Sequence, residues 1–426
     1  MSAEVEGSGR RRFPPRPTSV GEARRMIREG LVEAGREDLL ETAELLVSEI
    51  VTNALVHAGT YIDVAFTFVG GGLRVEVADG SPHPPTVRGY GPSAGTGRGL
   101  MLLEQMVDDW GVLPGEAGKT VWFQLAAGGG PAAHAEGPFP APRATDSTLA
   151  VQLIDVPLLL HEAWRQHAES LLREYLLASL DEDSVDDPIT AHAAASDAIA
   201  LLSEHIPPSG LAEDPDEVLV TATEPLVTSP LVELPIPVGS VPHFATLERL
   251  IVTALDMAEG GLLLTPPTQP EVQGLRAWLC GQVLAQSEGA SPQPWSSGDE
   301  PPAGHVHTLA WDSEQVREAE VAIIAVDDED RIVAASHTAL ALLGYDDPAG
   351  LVGRRLVAMI PERYRQAHLA GFTLHFLTGR ATLVDRPVIV PALRRSGDEI
   401  DVELTIRTDR AGDGRTVFVA ELTPVA

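Results

Sequence analysis

Apolar positions recur with a helical period in the first quarter of the chain and then alternate with polar ones. The pattern predicts helices over residues 20–34 and 39–57, followed by strands over residues 62–68 and 73–77. Residues 120–125, with the sequence TVWFQL, alternate in the same way and predict a last strand. We expect helices on one face of a mostly antiparallel sheet, because that arrangement buries both apolar surfaces.

The middle of the chain is predicted to be mainly helical. An apolar stripe runs through residues 156–180, and further helical patterns cover residues 191–205, 243–259 and 271–287. A helical bundle of unknown role is the expected structure. Within the first helix, His161 is followed by Glu162, but the HEAWR sequence has Arg165 where a zinc-binding HExxH motif has its second histidine.

The last quarter of the chain alternates between strand and helix patterns. Two strands are predicted on either side of an acidic turn at residues 327–330, and a helix then leads to the pair Gly344-Tyr345. A longer helix is predicted around residues 360–372, with three strand signals after it. The alternation within DVELTIRTD favours a sheet with one buried face.

Two segments rich in Gly, Pro and small residues separate these regions and indicate linkers. We therefore expect a multidomain α+β protein. Its predicted divisions are a disordered basic arm (1–16), a first domain (17–127), a linker (128–147), a helical domain (148–286), a second linker (287–312) and a last domain (313–426).

The net charge and the cysteine content argue against certain binding partners and certain kinds of site. A formal net charge of −32 argues against direct binding of nucleic acid, since the phosphates would be repelled. The exception is a local basic patch of Arg10, Arg11, Arg12 and Arg16. A single cysteine, Cys280, permits neither an intrachain disulfide nor a cysteine-based metal cluster. No apolar run approaches membrane-spanning length, so we expect a cytoplasmic protein without a membrane partner.

Three motifs in the first domain carry candidate chemistry. Glu49, Asn53 and His57 recur every four residues and share one helix face. A carboxylate there can polarise a nucleophile, and an amide oxygen suits Mg²⁺. Asp79 and Gly80 end a strand, where the carboxylate can accept a hydrogen bond from an exocyclic amine.

The third motif, GTGRGL at residues 95–100, contains three glycines just before a helical pattern. Because glycine has no side chain, phosphates can approach the backbone closely there. Each motif alone is weak, and an Asp-Gly pair is most often a turn. Their order and spacing together predict an ATP site.

In this order the motifs resemble the GHKL ATPase family, most closely its anti-sigma-factor serine kinase branch, over residues 17–126. The resemblance implies a Bergerat-type α/β sandwich. It implies that Glu49 is the general base, that Asn53 is the Mg²⁺ ligand, and that Asp79 binds the adenine amine with Gly80 beside it. The short segment between residues 81 and 95 leaves room for a minimal ATP lid, which departs from the long-lidded histidine kinases.

The resemblance also implies a phosphate loop formed by Gly95, Gly97, Arg98, Gly99 and Leu100. The family's last box matches GKTVWF at Gly118, Lys119 and Thr120, and in that box a small residue and a hydroxyl border the adenine. Lys119 is the only lysine of the chain, and the sequence leaves open a phosphate contact or a solvated turn residue. His57 is expected to pack or cap the helix.

Two functions from different classes follow from this resemblance. The first is an ATP-dependent serine/threonine protein kinase that acts on a partner of the anti-sigma-antagonist or sigma-factor type. The second is a non-catalytic switch in which ATP binding changes partner affinity. A weaker third alternative is an atypical histidine kinase that uses His161, although the sequence normally following a phosphoacceptor histidine is absent. Homodimers are expected in each case.

The last domain resembles a PAS sensor domain over nearly all of its length, from VAIIAVDDEDRIVAAS to GRTVFVAEL. Ser336 stands where the family often has Asn before its first short helix. In haem-binding PAS domains a histidine on the long helix ligates iron and an arginine contacts bound oxygen, and His368 and Arg386 match those positions. The alternatives of haem, another small ligand and an empty interaction module remain open.

Overall fold

The computed structural model describes residues 7–69, 72–80, 106–115, 118–125, 147–179, 188–209, 228–296, 311–379, 386–412 and 414–425. These segments form three regions of mixed α/β structure. No helix in them is both long and apolar enough to cross a bilayer.

In the part of the first region that the structure describes, two helices cover a five-stranded antiparallel sheet. Its strands lie in the order β1-β2-β3-β5-β4. The strands are β1 (Ser8–Phe13), β2 (Ile62–Val69), β3 (Gly72–Asp79), β4 (Asp109–Gly115) and β5 (Gly118–Leu125), and the helices are α1 (Thr18–Glu33) and α2 (Leu40–Ala58).

Alternation and helical period explain this arrangement. Every second residue of β2, β3 and β5 is buried, as expected for strands with one face against a core. In α2 the buried positions include Leu46, Ile50 and Val51, which join the strands in one apolar cluster. The two predicted helices and the three predicted strands are confirmed, whereas β1 and β4 were not predicted.

Residues 8–13 form an edge strand and not the disordered arm that was predicted. The strand pairs with β2, and Phe13 is completely buried. Arg12 donates to Asp63 on β2, and Arg11 pairs with Glu22 on α1. The run of arginines hides the strand in the sequence because the guanidinium groups stay at the surface while the backbone completes the ladder.

The described residues of the middle region contain the order strand–helix–helix twice. Its elements are β6 (Thr148–Pro157), α3 (Leu158–Ser179), α4 (Pro188–His205), β7 (Thr228–Pro237), α5 (Val241–Glu259) and α6 (Pro270–Ser287). The four helices confirm the helical patterns. The two strands pair antiparallel and contradict a purely helical bundle. Prolines 230, 235 and 237 conceal β7 in the sequence, and they are tolerated because a two-stranded ribbon has free edges.

The third region contains a five-stranded antiparallel sheet in the order β10-β11-β12-β8-β9. Its strands are β8 (Ile323–Asp327), β9 (Ile332–Ala335), β10 (Val388–Leu393), β11 (Glu399–Arg410) and β12 (Thr416–Pro424), and its helices are α7 (Glu314–Arg317), α8 (His337–Leu343) and α9 (Glu362–Thr378). This PAS-like architecture confirms all five predicted strands.

Ser336 performs the local role expected of an asparagine before α8. Its hydroxyl oxygen accepts from the backbone N–H of Ala339, which caps the helix, and from that of Ile323. The same hydroxyl donates to the carbonyl oxygen of Val321 at 2.8 Å. Serine therefore satisfies the start of α8 and joins it to β8.

The middle region packs against both of the others. Ile189 of α4 joins the apolar cluster of the first region, and α4 lies against α2. On the other side, Leu159 and Ala163 of α3 pack with Ala370 and Leu374 of α9. A continuous series of packed helices, α9–α3–α4–α2, thus connects the third region to the first.

Candidate nucleotide-binding site

Glu49 and Asn53 lie one turn apart on α2, beside the stripe of residues that the helix buries against the sheet. Both side chains are half-buried. Within the described segments neither has a hydrogen-bond or ion-pair partner. By contrast, Glu44 on the same helix is paired with Arg28. The carboxylate and the amide that the sequence selected are therefore available to a ligand.

Asp79 and Gly80 lie at the tip of β3, and a hydrogen bond ties this tip to the end of α2. The backbone N–H of Gly80 donates to Thr60 Oγ1 at 2.9 Å. A Cβ atom on Gly80 would lie 2.8 Å from Thr60 Cγ2, so only glycine permits this approach without a shift. The α2 helix ends at Gly59 in the left-handed conformation, which turns the chain toward Thr60.

Lys119 forms a buried ion pair with Asp79. The two residues are directly opposite in the β3–β5 ladder, and Lys119 Nζ lies 3.1 Å from Asp79 Oδ1. The exposed fractions of the two side chains are 6% and 2%. Lys119 is therefore not a solvated turn residue, and its ammonium group lies at the proposed base-binding carboxylate.

Thr120 follows Lys119 on β5 and pairs with Ala78. Successive side chains of a strand point to opposite faces, so Thr120 lies on the other face of the sheet from Asp79. The structure thus places Lys119, and not Thr120, beside the carboxylate.

Gly118 allows β5 to approach the tip of β3. Its φ is +146°, and a Cβ atom there would lie 1.9 Å from the carbonyl oxygen of Asp79. Any side chain would separate the two strands at this point. The glycine of the last box is therefore required by backbone contact, which places Lys119 next to Asp79.

The rest of the predicted site lies outside the described residues. Gly95, Gly97, Arg98, Gly99 and Leu100 belong to residues 81–105, as does the predicted lid, and the side chain of His57 lies outside the described part of the chain as well.

The donor chemistry around α2 fits a hydrated Mg²⁺ ion. The Asn53 amide oxygen is a hard, neutral ligand, and Mg²⁺ is held in such sites by few protein ligands together with substrate phosphates. Asn53 is half-buried, so one side of its side chain is open to such phosphates.

His161 is buried, with only 4% of its surface exposed. Its side chain belongs to the core of the middle region, and burial, together with the nearby charge of Arg165, lowers its pKa to about 3. Among the residues that the structure describes, none is a hydrogen-bond partner of His161 Nε2. A phosphoacceptor histidine must reach a nucleotide, so this environment does not fit that role.

His368 participates in a charged cluster that sequence analysis did not predict. His368 Nε2 lies 2.8 Å from Asp330 Oδ1, and Arg355 lies between Asp330, at 3.3 Å, and Glu271 of α6. Arg355 and Asp330 are buried, so this cluster joins the third region to the middle one. No local sequence signal connects residues that are 25 and 84 positions apart.

The positions proposed for haem do not fit that cofactor. The Nε2 atom of His368, which would face the iron, is engaged by the Asp330 carboxylate. Arg386 is exposed and lies just before the start of β10. Among the described residues, no group of three His, Cys, Asp or Glu side chains forms a metal site.

The first region is similar to a known family of domains. Residues 13–125 match the histidine kinase-like ATPase domain. An uncharacterized protein of Azorhizobium caulinodans is 38% identical over 100 residues, which cover 23% of this chain and 13% of the relative. The match therefore spans a small part of that protein.

Solved structures similar to the chain include a PAS domain and a LOV protein. The PAS domain of an HTR-like protein from Haloarcula marismortui is 21% identical and covers 26% of this chain and 88% of that one, with a TM-score of 0.22. A LOV protein of Rhodobacter sphaeroides is 17% identical and covers 27% and 65%, with a TM-score of 0.23. Residues 13–125 are similar to a histidine kinase-like ATPase domain, and this similarity implies ATP as the ligand.

Proposed function

We propose that this protein is a signalling regulator whose amino-terminal domain is a serine/threonine protein kinase of the anti-sigma type. The observation that carries the proposal is the Glu49 carboxylate, which is half-buried, unpaired within the described segments and one turn from Asn53. Binding of a nucleotide alone does not require that carboxylate. A general base must be free of competing ion pairs to accept a proton.

The proposed roles of the residues are compatible with their positions. Asp79 accepts a hydrogen bond from the exocyclic amine of adenine, and Asn53 holds Mg²⁺. A Mg²⁺ ion held there would neutralise negative charge on the phosphates. Glu49 orients the hydroxyl of the partner serine or threonine and takes its proton as the hydroxyl oxygen bonds to the γ-phosphorus. The bond to the β-phosphate oxygen breaks, so ADP leaves and the partner becomes a phosphoester.

The PAS-like domain is proposed to regulate this activity through the packed helices. Gly59 ends α2 only six residues after Asn53, and a Cβ atom on it would lie 2.5 Å from Ala193 Cβ of α4. Because the two helices are in such close contact, a displacement of α4 would either move the end of α2 or be blocked by α2. Since α3 packs on both α4 and α9, a change at α9 has a physical route to the nucleotide site.

The partner is proposed to be a protein of the anti-sigma-antagonist or sigma-factor type, and the regulator is proposed to act as a homodimer. The close α2–α4 contact also supports the alternative of a non-catalytic switch, in which nucleotide binding changes the position of α4 and with it the affinity for a partner.

One labelling experiment separates these functions. The protein is incubated with γ-labelled ATP and an antagonist-type protein, and wild type is compared with Glu49→Gln and with Glu41→Gln, an exposed carboxylate on the same helix. The kinase predicts label on a partner hydroxyl that Glu49→Gln abolishes and Glu41→Gln preserves. Nucleotide binding without any label would favour the switch, and acid-labile label on the protein itself would favour a histidine kinase.

A further inference from the structure

The Asp79–Lys119 pair places a hydrogen-bond acceptor and a donor side by side on one face of the sheet. Lys119 Nζ lies 3.1 Å from Asp79 Oδ1, and both residues are buried. An ammonium group has three N–H donors. Within the described part of the chain, Asp79 is the partner of Lys119, so two N–H donors remain for a ligand.

Because Lys119 is buried, leaving its two remaining N–H donors without an acceptor costs free energy. A buried charge is costly unless its hydrogen-bonding capacity is used, and a single carboxylate uses only part of it for an ammonium group. Gly118 and the β3–β5 register fix the position of the Lys119 backbone beside Asp79. The ammonium group is therefore positioned at the carboxylate before any nucleotide binds, at little further cost in side-chain entropy.

We propose that Lys119 determines base specificity by donating a hydrogen bond to N1 of adenine while Asp79 accepts one from the N6 amine. This inference rests on the proposed nucleotide site and adds a residue to it. The Watson–Crick edge of adenine presents a donor at N6 next to an acceptor at N1, which complements the carboxylate and the ammonium in that order. Guanine presents an acceptor at O6 and a donor at N1, so the same pose sets like groups against each other and excludes it.

A charged donor differs from a hydroxyl at this position. A hydroxyl can donate or accept by rotating, whereas an ammonium only donates. Lys119 therefore selects a base with a hydrogen-bond acceptor at this position, whereas a hydroxyl would tolerate either an acceptor or a donor. Discrimination is largest where a buried polar group of the site would be left unpaired by the wrong ligand.

The test removes the proposed hydrogen bond between Lys119 and adenine N1 in two ways. One is a nucleotide that lacks the N1 acceptor, and the other is a variant that lacks the Lys119 donor. Affinities of the full-length protein for ATP, GTP and 1-deaza-ATP, which lacks the N1 acceptor, are measured by calorimetry with Mg²⁺. Wild type is compared with Lys119→Met and with Gln124→Met, which changes a side chain on the opposite face of β5. We expect wild type and Gln124→Met to bind 1-deaza-ATP roughly ten- to a hundredfold more weakly than ATP, the scale of one charge-assisted hydrogen bond.

In Lys119→Met, ATP and 1-deaza-ATP should bind equally, both more weakly than ATP binds to wild type, and the preference over GTP should shrink. Equal binding of ATP and 1-deaza-ATP by wild type would overturn the inference, and this comparison stands even if Lys119→Met does not fold. Tighter ATP binding by Lys119→Met would also overturn it, because Lys119 would then compete with the base for Asp79. If wild type binds none of the nucleotides, the nucleotide site itself is wrong.

Discussion

The backbone N–H of Gly80 donates to Thr60 Oγ1 at 2.9 Å, and this bond joins the end of α2 to the tip of β3. The two elements carry different parts of the proposed site, with Asn53 on α2 and Asp79 on β3. Thr60 therefore sets the relative position of the proposed Mg²⁺ ligand and the proposed base-binding carboxylate.

Replacing Thr60 by Val should weaken ATP binding severalfold and destabilise the domain by about 1 kcal/mol, because the Gly80 N–H loses its acceptor. Thr60→Ser retains the hydroxyl and should bind ATP like wild type. Calorimetric affinities and urea denaturation measure the two effects. Unchanged affinity in Thr60→Val would show that the contact does not position the site.

Gly118→Ala should unfold or strongly destabilise the amino-terminal domain, by several kcal/mol, since its Cβ atom would overlap the carbonyl oxygen of Asp79. The matched control is Gly21→Ala. Gly21 lies within α1, and a Cβ atom on it would meet no neighbouring atom, so alanine there should raise stability by about 0.5–1 kcal/mol. Thermal unfolding of both variants checks the prediction, and equal melting temperatures would contradict it.

The periodicity of the sequence was sufficient for the elements that bury one regular face. Helices α1 and α2 and strands β2, β3 and β5 follow from it, as do the five strands of the PAS-like domain. Strand β1 was hidden by its arginines, and β7 by its prolines. Both positions violate local propensity and are stabilised by pairing with a distant strand.

Candidate residues could be selected from the sequence, but their partners could not. Glu49, Asn53 and Asp79 were identified by spacing. The pairing of Lys119 with Asp79 depends on the register of strands 40 residues apart, and that of Arg355 with Glu271 on the packing of two regions. Such contacts are consequences of the tertiary structure and leave no periodic signal.

His161 should make the protein less stable in acid. Its pKa is about 3 in the folded state and near 6.5 when exposed, so the unfolded chain binds more protons between these values. Stability should therefore fall by up to about 1.4 kcal/mol per pH unit below pH 6.5 because of this residue, and be unaffected by it above.

Denaturation of wild type and His161→Met between pH 4.5 and 7.5, a range of about three units around the histidine pKa, tests this. The variant should lose part of the pH dependence, and His337→Gln, at an exposed position, should retain all of it. Equal pH profiles for wild type and His161→Met would contradict the buried, neutral state of His161.

Glu271→Gln should weaken the contact between the middle region and the PAS-like domain. Arg355 and Asp330 are buried, and removal of the Glu271 charge leaves the guanidinium incompletely compensated. Scanning calorimetry should show a lower melting temperature or a separate transition for the PAS-like domain. Glu403→Gln, on the exposed face of β11, should leave the trace unchanged, and a change of the same size in it would argue against a specific interdomain role.

The nucleotide site is tested most directly by calorimetric titration of Mg²⁺-ATP into wild type and Asp79→Asn. Wild type should bind one ATP per chain, and Asp79→Asn should lose most of that affinity, because the amide keeps only one acceptor oxygen for both Lys119 and the adenine amine and leaves Lys119 without its counter-charge. Equal affinities in two folded proteins, or no heat of binding to wild type, would contradict the assignment of this site.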